Sequence, residues 1–306
     1  MNIIKHRIVF FWLGGIITVL AIGAMVFFGM PRSIEFTGGS LVEVSYTETR
    51  PDIASLKESL HTIGELGEVS LRESGDNGVL LRTRTLTPAE HDAVLVVLSK
   101  EGTAPLTELR FNSIGPSLGS ELAGKALYAL GAVILAIVLY IAWAFRRVSK
   151  PVSSWVYGAS VVLILLHDVI VPAGFYAVWM HFTGAQVDSL FVVAILAILG
   201  YSVNDTIVIF DRVRENLSHL EHGKQEESFE DVVGRSITET LGRSINTSVT
   251  VALALLALIF AGSSATFTFA LVLLVGVIVG TYSSILIAAP LLVPFAKWFA
   301  KKEEAK

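Results

Sequence analysis

The sequence has no cysteine. That excludes disulfide scaffolds, thiol catalysis and cysteine metal sites, while leaving the redox compartment open. Charge is scarce as well. Asp, Glu, Lys and Arg make up 16% of the 306 residues, well below the roughly 25% of soluble domains. Chemistry-bearing motifs are missing. No Gly-x-x-x-x-Gly-Lys-Ser/Thr loop occurs, so the chain carries no P-loop ATPase of its own. There is no His-Glu-x-x-His and no Gly-x-Ser-x-Gly, which disfavours an intramembrane zinc protease or an elbow-type hydrolase. No catalytic, cofactor or metal site is expected, and any work must be driven by an ion gradient or a partner.

What the chain has in abundance is apolar sequence, 53% of its residues, gathered in blocks long enough to cross a bilayer. It is expected to be a polytopic α-helical membrane protein with six transmembrane helices, at about 8–29, 125–145, 152–180, 188–211, 243–261 and 267–296. The first run, Ile8–Gly29, is 22 residues long, beyond the 7–15 of a signal h-region, and no small-x-small cleavage site follows it. It is read as a retained span. Trp143, Trp155, Trp179 and Trp298 fall at span ends as interface anchors.

Basic residues set the expected orientation. Of the fifteen Lys and Arg outside residues 30–122, fourteen fall on one side of the six-span arrangement: Lys5 and Arg7, the Arg146-Arg147…Lys150 turn, the 212–243 loop and the Lys297…Lys306 tail. Both termini are therefore expected in the cytoplasm. Four regions follow: residues 1–29, an extracytoplasmic domain at 30–122, helices 2–6 over 123–298, and a cytoplasmic tail at 299–306. The outer domain holds 14 acidic and 8 basic residues, so the net charge of −4 conceals an acidic domain and a slightly basic remainder.

Within that domain Gly39–Thr47 alternates apolar and polar residues as a strand does. Thr49-Arg50-Pro51-Asp52 opens a helix through Ile53, Leu56, Leu60 and Ile63, with proline in its first turn. Glu68–Glu73 and Val79–Thr85 form two strands around the turn residues Ser74-Gly75-Asp76-Asn77-Gly78. Thr87-Pro88-Ala89-Glu90 is a capping box leading a helix through Val94, Val97 and Leu98. Leu106–Ile114 supplies the last strand. The order βαββαβ is the α+β ferredoxin-like arrangement, which hosts many functions.

Asp205 is the residue that points to function. It interrupts an apolar run, and an ionisable group inside a span is costly unless paired or wetted. It reads either as an ion or proton site or as a hydrogen bond holding helices together. Ser236, Thr240, Arg243, Thr247 and Thr250 form a polar stripe on the fifth span, which places Arg243 at a depth similar to that of Asp205. An Asp205–Arg243 pair made and broken by movement would couple protonation to that movement. The alternatives are a static salt bridge or an Arg243 that snorkels to the headgroups. His167-Asp168 lies mid-span, one turn before Pro172, and reads as a helix–helix hydrogen bond in preference to a second relay station. Asn204 and Asn246 are expected to be interhelical hydrogen-bond partners, and Gly276, Gly280 and Ser284 a small-xxx-small packing face.

Five blocks then carry a resemblance over essentially the whole chain. They are Ile34-Glu35-Phe36-Thr37-Gly38-Gly39, Ile114-Gly115-Pro116-Ser117-Leu118-Gly119-Ser120-Glu121-Leu122, Leu199-Gly200-Tyr201-Ser202-Val203-Asn204-Asp205-Thr206 with its continuation to Asn216, Leu241-Gly242-Arg243-Ser244-Ile245-Asn246-Thr247-Ser248, and Gly280-Thr281-Tyr282-Ser283-Ser284. The chain resembles the SecF branch of the SecD/SecF family of bacterial protein-export membrane proteins, in the resistance-nodulation-division superfamily. The resemblance implies a half-transporter in the bacterial inner membrane. It would pair with SecD and the accessory YajC and work with the SecYEG channel and its SecA motor. Its substrate would be an unfolded preprotein, with no nucleic acid involved, and its energy source the proton gradient in place of any cofactor. It further implies that Asp205 and Arg243 belong to the proton path. Asn204, His167, Asp168, Asn246 and Thr247 are supporting intramembrane polar candidates. Two departures stand out: Glu35 replaces the family's usual Asp, and the Glu215–Arg235 loop is longer and more acidic. A small-molecule or lipid half-exporter and a non-energetic scaffold are the rival readings.

Overall fold

The computed structural model describes residues 3–64, 66–145, 154–222 and 227–304. Arg146, Arg147, Lys150, Lys224 and Lys306 of the orientation argument, and the side chains of Trp155, Lys301 and Lys302, lie outside what is described. The elements in chain order are α1 (Arg7–Phe28), α2 (Ile34–Thr37), β1 (Gly39–Tyr46), α3 (Ile53–Leu60), β2 (Ser70–Ser74), β3 (Gly78–Thr83), α4 (Pro88–Leu98), β4 (Leu106–Ile114), α5 (Pro116–Ala144), α6 (Ser154–Thr183), α7 (Ser189–His222), α8 (Phe229–Ala261), α9 (Ser264–Ser283) and α10 (Ala289–Glu304). They fall into two compact units. One comprises Met1–Met30, Ala129–Ala185 and Ser189–Lys306; the other Pro31–Tyr128 and Gln186–Asp188.

The smaller unit is a four-stranded antiparallel sheet in the order β2-β3-β1-β4. That order, with α3 and α4 as the two crossovers, is the ferredoxin-like βαββαβ fold read from the sequence. Its core is the alternating face of the strands against the two helices: Val42, Val44, Val79, Leu81, Leu56, Leu60, Val94 and Leu98 are all fully buried. Each contributes about 1.5–3 kcal/mol relative to an exposed side chain. The capping box at α4 forms as its sequence requires. Glu90 N–H donates to Thr87 Oγ1 at 3.3 Å, and Thr87 N–H to Glu90 Oε2 at 2.8 Å. The start of α3 differs from expectation. Asp52 is its N-cap, accepting from Ser55 N–H at 3.0 Å, so Pro51 precedes the cap and is not in the first turn. The Ile34–Thr37 block folds as a short helix capped by Ser33, where no element was expected. It is followed by two glycines at φ +75° and +123°.

The larger unit is helical. Among the described residues six helical segments are long and apolar enough to cross a membrane: Arg7–Phe28, Pro116–Ala144, Val156–Thr183, Ser189–His219, Phe229–Ala261 and Thr266–Trp298. Two details revise the sequence reading. The fifth helix begins fourteen residues before position 243, so its polar stretch is the interior of α8 and not its start. The sixth span is not one regular helix: a π-helical turn at Ser284–Ala288 joins α9 to α10. Pro290 follows directly and has no N–H to continue the ladder. Arg7 and Lys297 both pair with Glu230, at 3.4 and 2.6 Å. The starts of α1 and α8 and the end of α10 therefore share one end of the bundle, as the six-span arrangement requires.

Small residues set the helix spacings. A Cβ on Gly174 would lie 2.5 Å from Ala21 Cα, so α6 and α1 meet backbone to backbone. On α9, Gly276 packs against Ile198, and a Cβ on Gly280 would sit 3.3 Å from that of Ser202. The small-xxx-small face is thus the seat of α7.

Candidate functional site

Measured from the turn at residues 184–188, Asp168 lies fifteen residues back along α6 and Asp205 sixteen residues forward along α7. At 1.5 Å per residue these are about 22 and 24 Å, so two carboxylates from adjacent helices share one level of the bundle. A layer of hydroxyls surrounds them. Asp168 is fully buried, and Asp205 is 6% exposed.

Asp168 is saturated. Its Oδ1 meets His167 Nδ1 at 2.8 Å, and its Oδ2 accepts from Ser202 Oγ and, at 2.8 Å, from Ser283 Oγ. The other ring nitrogen of His167 faces the Tyr282 hydroxyl at 3.0 Å. One carboxylate thereby ties α6 to α7 and α9. Pro172, inside α6, cannot donate to the carbonyl four residues earlier, which is that of Asp168 itself.

Among the described residues Asp205 is held chiefly by Ser244, with the Ser284 hydroxyl acting on it more weakly. Ser244 Oγ on α8 donates to its Oδ1 at 2.5 Å. Its Oδ2 is buried with no hydrogen-bond partner among the described residues, a rare condition for a buried polar atom. Nearby, Thr206 and Ser284 hydroxyls meet at 2.9 Å, and Tyr201, Ser248 and Thr281 form a chain with steps of 2.7 and 2.6 Å. The π-helical turn begins at Ser284. π-Turns inside α-helices often mark functional sites, because the extra residue re-aims side chains.

Asp205 and Arg243, which the sequence places at similar depth, form no ion pair in this structure. Arg243 is exposed and acts on Asp205 only through space. The reason is helical register. The buried face of α8 is the i+4 ladder Ser236, Thr240, Ser244, Ser248. Arg243 is one residue, about 100°, away from Ser244. The stripe read from the sequence joined two faces at position 243. Thr247 is exposed with its hydroxyl bonded back to its own helix, at 3.0 Å from the Arg243 carbonyl. Asn204 and Asn246 are exposed too, and among the described residues neither makes the interhelical hydrogen bond expected of it. Ser202, Ser244, Ser248, Ser283 and Tyr282 were not singled out as site residues. The signal available for the α8 pair was the unbroken four-residue spacing from Ser236.

A buried carboxylate layer shared by several apolar helices, beside a separate ferredoxin-like domain, defines a polytopic membrane protein of the transport type. The comparisons narrow this. The family model "Protein export membrane protein SecD/SecF, C-terminal" matches residues 96–298, and the "SecD/SecF GG Motif" matches residues 23–49. The chain belongs to the SecD/SecF family. Proteins named protein translocase subunit SecF from Anaerolinea thermophila and Thermobaculum terrenum are 36% and 35% identical. The alignments cover 98% and 96% of this chain and 97% and 93% of theirs. Among solved structures, the translocon-associated membrane protein SecDF from Thermus thermophilus superposes with a TM-score of 0.79 at 30% identity. The match covers 97% of this chain and 39% of that longer one. A SecDF in a super-membrane-facing form gives a TM-score of 0.69.

Proposed function

We propose that the chain is a SecF-type subunit that pairs with SecD and uses the proton motive force to promote late steps of preprotein translocation through SecYEG. SecA is the motor of the same machinery and YajC an accessory. The chain sits in the bacterial inner membrane, with both termini cytoplasmic and residues 30–122 outside; the distribution of Lys and Arg supports that orientation. No cofactor takes part, the gradient being the energy source.

The observation that carries this reading is the contrast between the two carboxylates. Asp168 has every oxygen engaged, whereas Asp205 keeps one buried oxygen without a hydrogen-bond partner among the described residues. Asp205 Oδ2 is the atom that takes and gives the proton. Ser244 and Arg243 are neighbours on α8, so a turn of α8 by about 100° exchanges a hydroxyl for a guanidinium at the carboxylate. The guanidinium favours the ionised form, which links proton release to helix movement. Polar groups facing hydrocarbon require a partner, and the exposed Asn204, Arg243 and Asn246 mark the face that SecD covers.

The test is proton-driven translocation of a preprotein into inverted membrane vesicles. Asp205→Asn is expected to assemble with SecD and to abolish the dependence on the gradient. Undiminished gradient-driven translocation by the assembled variant overturns the reading.

A further inference from the structure

The buried polar side chains of the helical unit are spread unevenly along it. Among the described residues they run from Ser202 to Asn216 on α7 and from Ser236 to Ser248 on α8, and on α6 the last is Asp168. None lies between the carboxylate layer and the turn at residues 184–188. That interval between α8 and α9 is hydrocarbon, built on Leu255, Ala270 and Val277 with Leu258 and Leu274 against them. Buried polar groups continue only towards the opposite end of the bundle, the one proposed to be cytoplasmic.

In that direction a line of hydroxyls leads away from Asp205 along α8. Ser244, which donates to Asp205 Oδ1 at 2.5 Å, is followed one turn on by Thr240 and two turns on by Ser236. They are 8% and 0% exposed. Each turn rises about 6 Å, a gap that one bridging water spans. At the end of the line stands Asn216 of α7, itself buried. Its Nδ2 donates to Ser236 Oγ and to Glu239 Oε2, both at 2.9 Å. Glu239 opens to solvent, its side chain 34% exposed, and accepts from Arg212 Nε at 2.6 Å. The other charges around it are Arg235 on α8 and Glu215, which shares Arg212.

Holding helices together does not account for this line. The Thr240 hydroxyl donates only to its own helix, at 2.9 Å from the Ser236 carbonyl, and makes no interhelical hydrogen bond among the described residues. Ser236 likewise donates back to the Val232 carbonyl at 2.8 Å. A hydroxyl both donates and accepts and can rotate between partners, which is what relaying a proton requires. The Asn216 amide group cannot relay one, but its two bonds fix Glu239 beside Ser236. Paired with the Arg212 guanidinium, Glu239 stands as a carboxylate that can accept.

We propose that the line Ser244, Thr240 and Ser236 is the route by which Asp205 gives its proton to the cytoplasmic side, with Glu239 as terminal acceptor and Asn216 as a positioning residue. The proposal rests on the reading of Asp205 as the proton site and deepens it by naming the route and the side to which that site is open. The proton leaves the Asp205 carboxyl as its carboxylate forms. Each hydroxyl and bridging water along the line takes one proton and passes one on. Glu239 takes the last and releases it to bulk water, so one proton crosses and no group is oxidised or reduced. Hydrocarbon closes the way from Asp205 to the 184–188 turn, so loading from that side requires the helices to move.

The test uses inverted membrane vesicles holding the chain in its complex with SecD, acidified inside, with proton efflux followed by a pH-sensitive dye. Glu239→Gln should lower efflux by about tenfold or more, a modest share of what a positioned proton-transfer group contributes. Glu239→Asp should retain most of it. A membrane-impermeant buffer, MES, added to the bath should restore efflux to Glu239→Gln as its concentration rises, because the buffer carries off the proton in place of the carboxylate. A merely structural role would not respond to buffer. Thr240→Val, alike in shape but without the hydroxyl, should lower efflux severalfold, while Ser160→Ala, which removes a buried hydroxyl on α6, should leave it unchanged. Asp205→Asn should abolish efflux at every buffer concentration; if it does not, the reading of Asp205 as the proton site falls and this route with it. Abolition by Asp205→Asn beside full efflux in Glu239→Gln and Thr240→Val overturns the route alone. So does a loss in Glu239→Gln that neither MES nor Glu239→Asp repairs.

Discussion

Replacing Asp168 by alanine should destabilise the helical unit more than replacing Asp205. Asp168 accepts from His167 on its own helix and from Ser202 and Ser283, the last two bonds joining α6 to α7 and α9. Interhelical hydrogen bonds in membrane proteins are worth about 0.6 kcal/mol on average and at most about 1.7. Asp168→Ala is therefore expected to cost about 1–3.5 kcal/mol, with Ser202 and His167 left as buried donors. Among the described residues Asp205 accepts its one well-formed bond from Ser244, with Ser284 acting on it more weakly, so Asp205→Ala should cost no more than about 1.7 kcal/mol. The measurement is reversible unfolding of each purified variant in mixed micelles by SDS titration, followed by far-ultraviolet circular dichroism. Gradient-driven export is read in parallel in vesicles. The two assays should rank the variants in opposite orders once the amount of folded protein is matched. Stability of Asp168→Ala within about 0.5 kcal/mol of the parent would refute the view that this carboxylate holds helices together; that threshold lies below one average bond.

Three further outcomes follow from particular contacts. Ser244→Ala should assemble with SecD yet lower gradient-driven translocation severalfold, while Ser244→Thr, which keeps the hydroxyl, should restore most of it; vesicle transport decides. Gly38→Ala should destabilise the smaller unit by about 1–3 kcal/mol from backbone strain alone, since Gly38 sits at φ 75° and ψ 171°. Its new Cβ would also lie 2.6 Å from Pro116 Cα, and thermal unfolding of the full chain measures the loss. The Arg84 guanidinium and the Thr87 cap hold the Glu90 carboxyl down to about 2. A carboxyl lowered in the folded state stabilises above the ordinary glutamate range, and that stabilisation fades as pH falls towards about 2. Glu90→Gln should flatten the acid limb of the stability profile and leave the near-neutral slope unchanged.

The polar candidates divide by how local their signal was. The capping box at Thr87–Glu90 and the small-xxx-small face were legible because neighbours in sequence decide them. Asp205 was legible because a carboxylate in an apolar run is anomalous wherever it lies. The partner of Asp205 was not. Ser244 and Arg243 differ by one residue, and sequence chemistry favours the charged one. The choice belongs to the angle at which α8 presents itself to α7, which packing sets. The same holds for Asn204 and Asn246, where polarity suggested interhelical bonds but the register turned both outward. The role of His167-Asp168 became concrete only when Ser202, Ser283 and Tyr282, from two other helices, were brought to it.

By itself the sequence determined the number of apolar spans, the ferredoxin-like order of the smaller unit and the family, because long hydrophobic blocks, alternating patterns and glycine-rich motifs act through near neighbours. Only the tertiary structure decided which carboxylate is saturated and which keeps an unengaged oxygen. It alone aligned Arg72, Leu80, Glu43 and Arg110 across one face of the sheet. Both depend on strand register and helix rotation, where a shift of one residue sends a side chain to the opposite face of a strand or about 100° around a helix.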